Sequence, residues 1–289
     1  MIVVVGGTGR LGSLVANLLS VRGHEVRVVS RRLVASKVPL DDEIEQVRGD
    51  VRDPARMRAL VTGAEVVVLA MQGFAGQGGV SPRTVDRDGS RHVVEAAEQQ
   101  GADVVLVSVA GASDTSALEL ARAKYHAEQQ LRASRCAWTI VRPDAFAQTW
   151  VELLEQTAGR SHRPLVFGAG DNPIGWVDVH EVAALVERAV LDTSLRGRTL
   201  QITGPERLTL EELAGLVMAH HGWPGRPRRV PRAVLRAVAA TGPLRPAVSR
   251  RARAALAMDV LAPVDDHETR AAFPDLPRTR VSELFGQRA

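Results

Sequence analysis

The chain alternates between short, wholly apolar runs and longer stretches with apolar residues three or four apart. Ile2–Val5 is an unbroken run closed by glycines, the pattern of a strand buried on both faces. Residues 10–22 place Leu11, Leu14, Val15, Leu18 and Leu19 on one side at helical spacing. Residues 25–30 and 44–48 predict the next strands. Residues 53–61 predict a helix with Pro54 in its first turn, where a missing N–H costs little. A strand at 65–70, a helix at 81–100, a strand at Asp103–Val107, a helix at 115–134 and a strand at 138–142 continue the series. Strands alternating with helices at these lengths imply right-handed crossovers and a parallel sheet.

After Pro143 the rhythm changes. The pattern predicts helices at 144–158, 178–191 and 209–221, and strands at Leu165–Phe167 and 199–203, with a turn at 168–173. Beyond Gly222 the chain is rich in Pro and Arg, with helices expected at 233–240 and 250–258. No internal repeat and no flexible linker interrupts it. The expectation is one α/β domain with a doubly wound parallel sheet. Residues 1–143 form its core, and 144–289 interleave the last core elements with a small C-terminal substrate lobe, closing over the strand ends where open α/β sheets bind ligands.

Composition narrows the function classes. A chain of 289 residues is long for one core and short for two, and 45% hydrophobic with 24% charged residues is globular. The single Cys136 permits neither an internal disulfide nor a cysteine zinc site, which suits a reducing compartment. No apolar run reaches membrane-spanning length, and the opening MIVVVGGTG reads as strand and turn, so a cytoplasmic protein is expected. The net charge of +4 raises nucleic acid as a partner. Yet only Lys37 and Lys124 are lysines, the arginines are spread among acids, and aromatics make up 3% with one tyrosine, Tyr125. There is no stacking platform for single strands, and neither nucleic acid nor membrane is expected as a partner.

The richest motif is VVVGGTGRLG. It satisfies G-x-G-x-x-G through Gly7, Gly9 and Gly12, and G-x-x-G-x-x-G through Gly6, Gly9 and Gly12. It lies between a strand and a helix, where glycines let backbone approach a pyrophosphate and the helix N-terminus attracts it. Gly6, Gly7, Thr8, Gly9, Arg10, Leu11 and Gly12 are therefore candidate dinucleotide contacts. An enzyme preferring NAD carries Asp or Glu about 20 residues further on. Here Ser30-Arg31-Arg32 stands instead, and two guanidiniums suit the 2′-phosphate of NADP(H). In Gly49-Asp50-Val51-Arg52-Asp53, Asp50 and Val51 either meet the adenine, or Asp50 or Asp53 caps the next helix.

GGTGRLG, Ser-Arg-Arg, GDVRD, LVSVAG and KYHAEQQLRAS-x4-TIVRP occur in that order. Over about residues 1–205 the chain resembles the atypical short-chain dehydrogenase/reductases of the NmrA-like, NAD(P)H-binding group. The resemblance implies a Rossmann-type fold, a dinucleotide at the glycine loop, and further contacts at Ala70, Met71, Gln72, Ser108 and Lys124. The larger superfamily carries Tyr-x-x-x-Lys, in which the phenol gives the proton and the lysine holds the nicotinamide ribose. Here Lys124 matches the lysine, but Leu120 stands at the tyrosine position and Tyr125 falls out of register. Ser108 ends its strand, whereas the superfamily's catalytic serine falls nearer Ala110. Lys124 is thus the single catalytic candidate, against the alternative of a surface helix lysine.

Other positions carry less. The loop 73–79 holds four glycines, too many for rigidity, and is either a substrate cover or a plain loop. His126 reads as a surface histidine, and Asp144, Asp178, His180 and Glu181 as helix-start residues. Phe146, Trp150 and Trp176 either line an apolar site or pack the core. His220-His221 lacks metal-ligand spacing, so no metal is expected. The leading functional expectation is NADPH-dependent reduction of a ketone of an aromatic polyketide, a small apolar substrate polarised by its own phenolic hydrogen bond. The alternatives are quinone reduction and a non-enzymatic NADP(H)-binding redox sensor.

Overall fold

The computed structural model describes residues 1–33, 36, 38–76, 78–242 and 244–286. Seven strands form the main sheet in the order β3-β2-β1-β4-β5-β6-β9. They are β1 (Ile2–Val5), β2 (Val26–Ser30), β3 (Glu45–Arg48), β4 (Val66–Leu69), β5 (Asp103–Val107), β6 (Trp138–Pro143) and β9 (Arg198–Ile202). The first six pair in parallel, with β1 flanked by β2 and β4. The chain winds outward from β1 in both directions, so the order reverses between β1 and β4, the place where open α/β sheets bind ligands. The central strands are apolar throughout because both faces are covered: Val3, Val4, Val67, Val68, Leu69, Val104, Val105 and Leu106 are all 0% exposed.

The connecting helices are α1 (Arg10–Val21), α2 (Pro54–Val61), α3 (Asp88–Gln100) and α4 (Glu119–Ala133). The expected helix 81–100 is two elements. Residues Pro82–Arg87 form a π-helical turn closed by Asp88 N–H onto Arg83 C=O, and α3 follows it. Likewise α4 begins at Glu119, four residues later than its pattern predicts.

The chain divides into two compact units. The first is 1–115, 120–142 and 182–200; the second is 116–119, 143–181 and 201–289. The second contains α5 (Ala147–Ala158), α7 (Leu210–His220), α8 (Arg232–Ala240) and α9 (Pro246–Met258). Its two small sheets pair β7 (Leu165–Phe167) with β11 (Arg228–Val230) and β8 (Ile174–Gly175) with β10 (Arg207–Leu208). Helix α6 (Val179–Leu191) runs from the second unit into the first. Strands β8, β10 and β11 escape the periodicity because two or three residues cannot display a period. Trp176 and Trp150 pack in this unit's core, ring centroids 5.5 Å apart, and Trp176 Nε1 donates to Leu208 O at 2.8 Å. Trp176 is 0% exposed, so core packing is its role.

Candidate functional site

Parallel strands place their C-terminal ends on one edge, and the loops leaving β1, β2, β3 and β4 meet there. Gly6 has φ +87°, a left-handed conformation, and a Cβ on it would stand 2.7 Å from Met71 N. A Cβ on Gly7 would meet the Val28 methyls at 2.6 Å, and one on Gly12 would stand 2.5 Å from Gly6 O. These three glycines are dictated by close packing of β1, β2, β4 and α1. Gly9 is different. It is exposed, its backbone is extended, and a Cβ would touch only Gly6 O at 3.2 Å. Gly9 is also the residue before α1, and it leaves that helix with no side-chain cap and no acid in the first turn. An uncapped, acid-free helix N-terminus behind a bare backbone cradle fits an anionic pyrophosphate.

The neighbouring loops are tied into this one. Thr8 Oγ1 and Ser30 Oγ share a hydrogen bond of 2.6 Å, and Gly49 N–H donates to Ser30 O at 2.9 Å. Arg31 and Arg32 follow Ser30 and are exposed. Asp53 caps α2 by accepting from Arg56 N–H at 3.0 Å, so Asp50 does not cap it. Asp50 instead accepts from Arg52 Nη2 at 2.6 Å, and that guanidinium holds the Asp50 carboxyl below the ordinary carboxylate value. Val51 is buried beneath, with its carbonyl 2.9 Å from His92 Nδ1. A 2′-phosphate partner among the arginines makes a sharp expectation. Arg31→Ala should weaken NADPH about tenfold or more, since a charge-assisted contact is worth roughly 1.5–3 kcal/mol. NADH binding should hardly change, and fluorescence titration with both nucleotides checks it.

Lys124 is not a surface lysine. It is 3% exposed, and its ammonium donates to Met71 O at 3.0 Å, on the segment that Gly6 touches. The same ammonium lies 3.1 Å from Asp86 Oδ1, and Asp86 is 0% exposed. The other Asp86 oxygen accepts from Gly73 N–H at 2.8 Å. Ala70 and Gln72 flank Met71, half-buried and exposed respectively. Leu120, at the tyrosine position, is 8% exposed, while Tyr125 is half-buried against the exposed His126.

Ser108 has a fixed partner. Its hydroxyl donates to Glu128 Oε1 at 2.5 Å, and Glu128 also receives Arg142 Nη2 at 2.5 Å and lies 3.3 Å from Arg132 Nη1. Ser108 and Glu128 are both buried. The run from Lys124 to Arg142 thus places a salt-bridge network at the end of β5, which no sequence motif indicates.

Several expectations need correction. The 73–79 loop is glycine-rich for space rather than slackness at two positions. A Cβ on Gly73 would stand 2.3 Å from Ser81 O, and one on Gly76 would stand 2.2 Å from Val80 Cγ1. Gln77 lies outside the described residues. Asp144 does not cap α5, which begins at Ala147. It accepts from Thr203 Oγ1 at 3.0 Å and from Ala145 N–H at 2.8 Å, and burial pushes its carboxyl up. Glu181 is no helix cap either. It is 0% exposed, with Arg270 Nη2 at 2.7 Å and Thr279 N–H at 2.5 Å. Asp178 does hold a helix start, accepting from His180 N–H at 2.8 Å and from Gln148 Nε2 at 2.6 Å. Phe146 is half-buried and precedes α5, and His221 Nε2 lies 3.0 Å from Glu155 Oε1.

The chain is 27% identical over 230 residues to an NAD(P)H azoreductase of Xenophilus azovorans, covering 78% of this chain and 76% of that protein. It is 29% identical over 214 residues to a (4-alkanoyl-5-oxo-2,5-dihydrofuran-3-yl)methyl phosphate reductase of Streptomyces griseus, covering 73% and 71%. An NADPH-dependent quinone oxidoreductase of Escherichia coli has the same fold, with a TM-score of 0.77 at 21% identity over 100% of this chain and 99% of that one. Residues 6–166, from the glycine loop through β6 to β7, match the family described as NAD(P)H-binding, and the chain belongs to that family.

Proposed function

We propose that this NAD(P)H-dependent oxidoreductase prefers NADPH and reduces an acceptor that arrives already polarised. The first candidate is an aromatic ketone of polyketide type, hydrogen-bonded by its own neighbouring phenol. Bound NADPH supplies the hydride. The observation that carries the reading is Leu120 at the position where the larger superfamily keeps a phenolic acid, with Tyr125 directly after Lys124 and outside that register. Lys124 remains, buried and hydrogen-bonded at the end of β4, where it can hold a ribose hydroxyl and favour negative charge developing on the acceptor oxygen. A quinone needs no protein phenol either. The azoreductase and the quinone oxidoreductase show by their names that related chains serve acceptors other than ketones.

The test is NADPH consumption with three matched acceptors: a phenolic aromatic ketone, its O-methyl ether and a quinone. General acid catalysis is worth about 10²–10⁴-fold, so the ether should be reduced at least about a hundredfold more slowly than the phenol. Equal rates for phenol and ether would mean that the protein supplies the proton. NADPH binding without consumption of any acceptor would favour a redox sensor.

A further inference from the structure

Asp86 has no place in the sequence motifs, yet it is a fully buried carboxylate at the site. The π-helical turn Pro82–Arg87 carries it into the core beside Lys124, and such turns recur at functional positions because they insert one residue into a helical register. An ammonium has three hydrogens. One is donated to Met71 O, and a second side of the ammonium faces Asp86 Oδ1 at 3.1 Å. That contact is close but poorly aligned, and Asp86 Oδ1 has no well-formed hydrogen bond among the described residues. The ammonium is therefore held by charge, and its remaining hydrogen has no partner among the described residues.

We propose that Asp86 is a positioning residue for Lys124: it holds the ammonium against the Met71 carbonyl, ties the Gly73 backbone to the same carboxylate, and leaves one ammonium hydrogen for a hydroxyl of the nucleotide. The inference rests on the proposed function only for where Lys124 acts. A purely structural role is disfavoured by energetics. Burial pushes the Asp86 carboxyl above its ordinary value. A group raised in the folded state adds stability when protonated at low pH, and that stability is lost as pH rises through the raised value. Keeping this carboxylate ionised therefore costs stability, and replacing both members of a buried pair by neutral groups of similar shape is often neutral or stabilising.

The experiment is a cycle of Asp86→Asn, Lys124→Met and the double variant, read three ways. NADPH affinity is titrated at pH 7 and pH 9, single-turnover NADPH oxidation is followed with the quinone, and the nucleotide-free protein is melted. Asp86→Asn keeps an acceptor for Gly73 N–H but leaves the ammonium uncompensated. NADPH affinity of that variant should fall several-fold more than the parent's between the two pH values, and its hydride-transfer rate should drop at least about tenfold, a change of roughly 1.4 kcal/mol. Lys124→Met should lose a similar rate without the added pH dependence. The double variant should be no slower than Lys124→Met alone, and should melt within a few degrees of the parent. Two results would overturn the proposal: losses from Asp86→Asn that add fully to those of Lys124→Met, or a double variant that melts far below the parent. If the parent consumes no acceptor, the reductase reading fails, and the affinity and melting arms still decide the role of Asp86.

Discussion

Gly9→Val is expected to abolish NADPH binding while leaving a folded protein. Gly9 alone among the four loop glycines is exposed and extended with φ −73° and ψ 161°, a conformation valine adopts readily. Its Cβ would meet one atom, Gly6 O at 3.2 Å, so the strand and helix need shift only slightly. The methyl groups would instead fill the cradle before α1, where a pyrophosphate must meet bare backbone. A loss of at least about a hundredfold, roughly 2.8 kcal/mol, is expected from titration, with an unchanged circular dichroism spectrum. The same substitution at Gly12 should unfold the protein, because its Cβ would sit 2.5 Å from Gly6 O and 2.7 Å from Gly7 Cα. Equal affinity for parent and Gly9→Val would reduce the loop to a turn.

Glu128→Ala should be strongly destabilising while leaving the glycine loop untouched. Glu128 is 0% exposed, and it closes a network with Ser108, Arg142 and Arg132. Truncation strands two guanidiniums and a buried hydroxyl, and breaking such a pair costs about 3–5 kcal/mol. The lower end is expected, because Arg142 and Arg132 keep 21% and 30% side-chain exposure and can rehydrate in part. About 3 kcal/mol should lower the thermal midpoint of a chain this long by roughly 5 °C. Glu128→Gln, which retains an acceptor for Ser108, should lose less. A melt unchanged in Glu128→Ala would show that the network contributes nothing to the fold.

The order of strands and helices was legible because β1, β4 and β5 are short apolar runs and α1 has a full amphipathic stripe. The glycine loop was legible for the same reason that it works, since only glycine satisfies the contacts at positions 6, 7 and 12. Asp86 lies outside every motif, although the sequence holds a signal for it. Asp86, Ser90, Val93 and Ala97 fall at helical spacing, and all four are buried, so a carboxylate stood on an apolar face. The break at Asp88 was not legible, since nothing in PRTVDRDGS distinguishes a π turn from an α turn. Glu181 and Asp144 look like caps in the sequence because local sequence shows only the following helix. Their partners Arg270 and Thr203 lie 89 and 59 residues away, beyond any periodicity. Ser108 was placed at its strand end, but its hydrogen bond depends on Glu128 from another element.

The measurement that bears most directly on the whole account is single-turnover oxidation of NADPH deuterated at one or the other face of nicotinamide C4, with the quinone or phenolic ketone present. Hydride transfer in a fixed site predicts that oxidation slows for one deuterated face and is unchanged for the other. Full nucleotide binding with no acceptor-dependent oxidation of either form would contradict it.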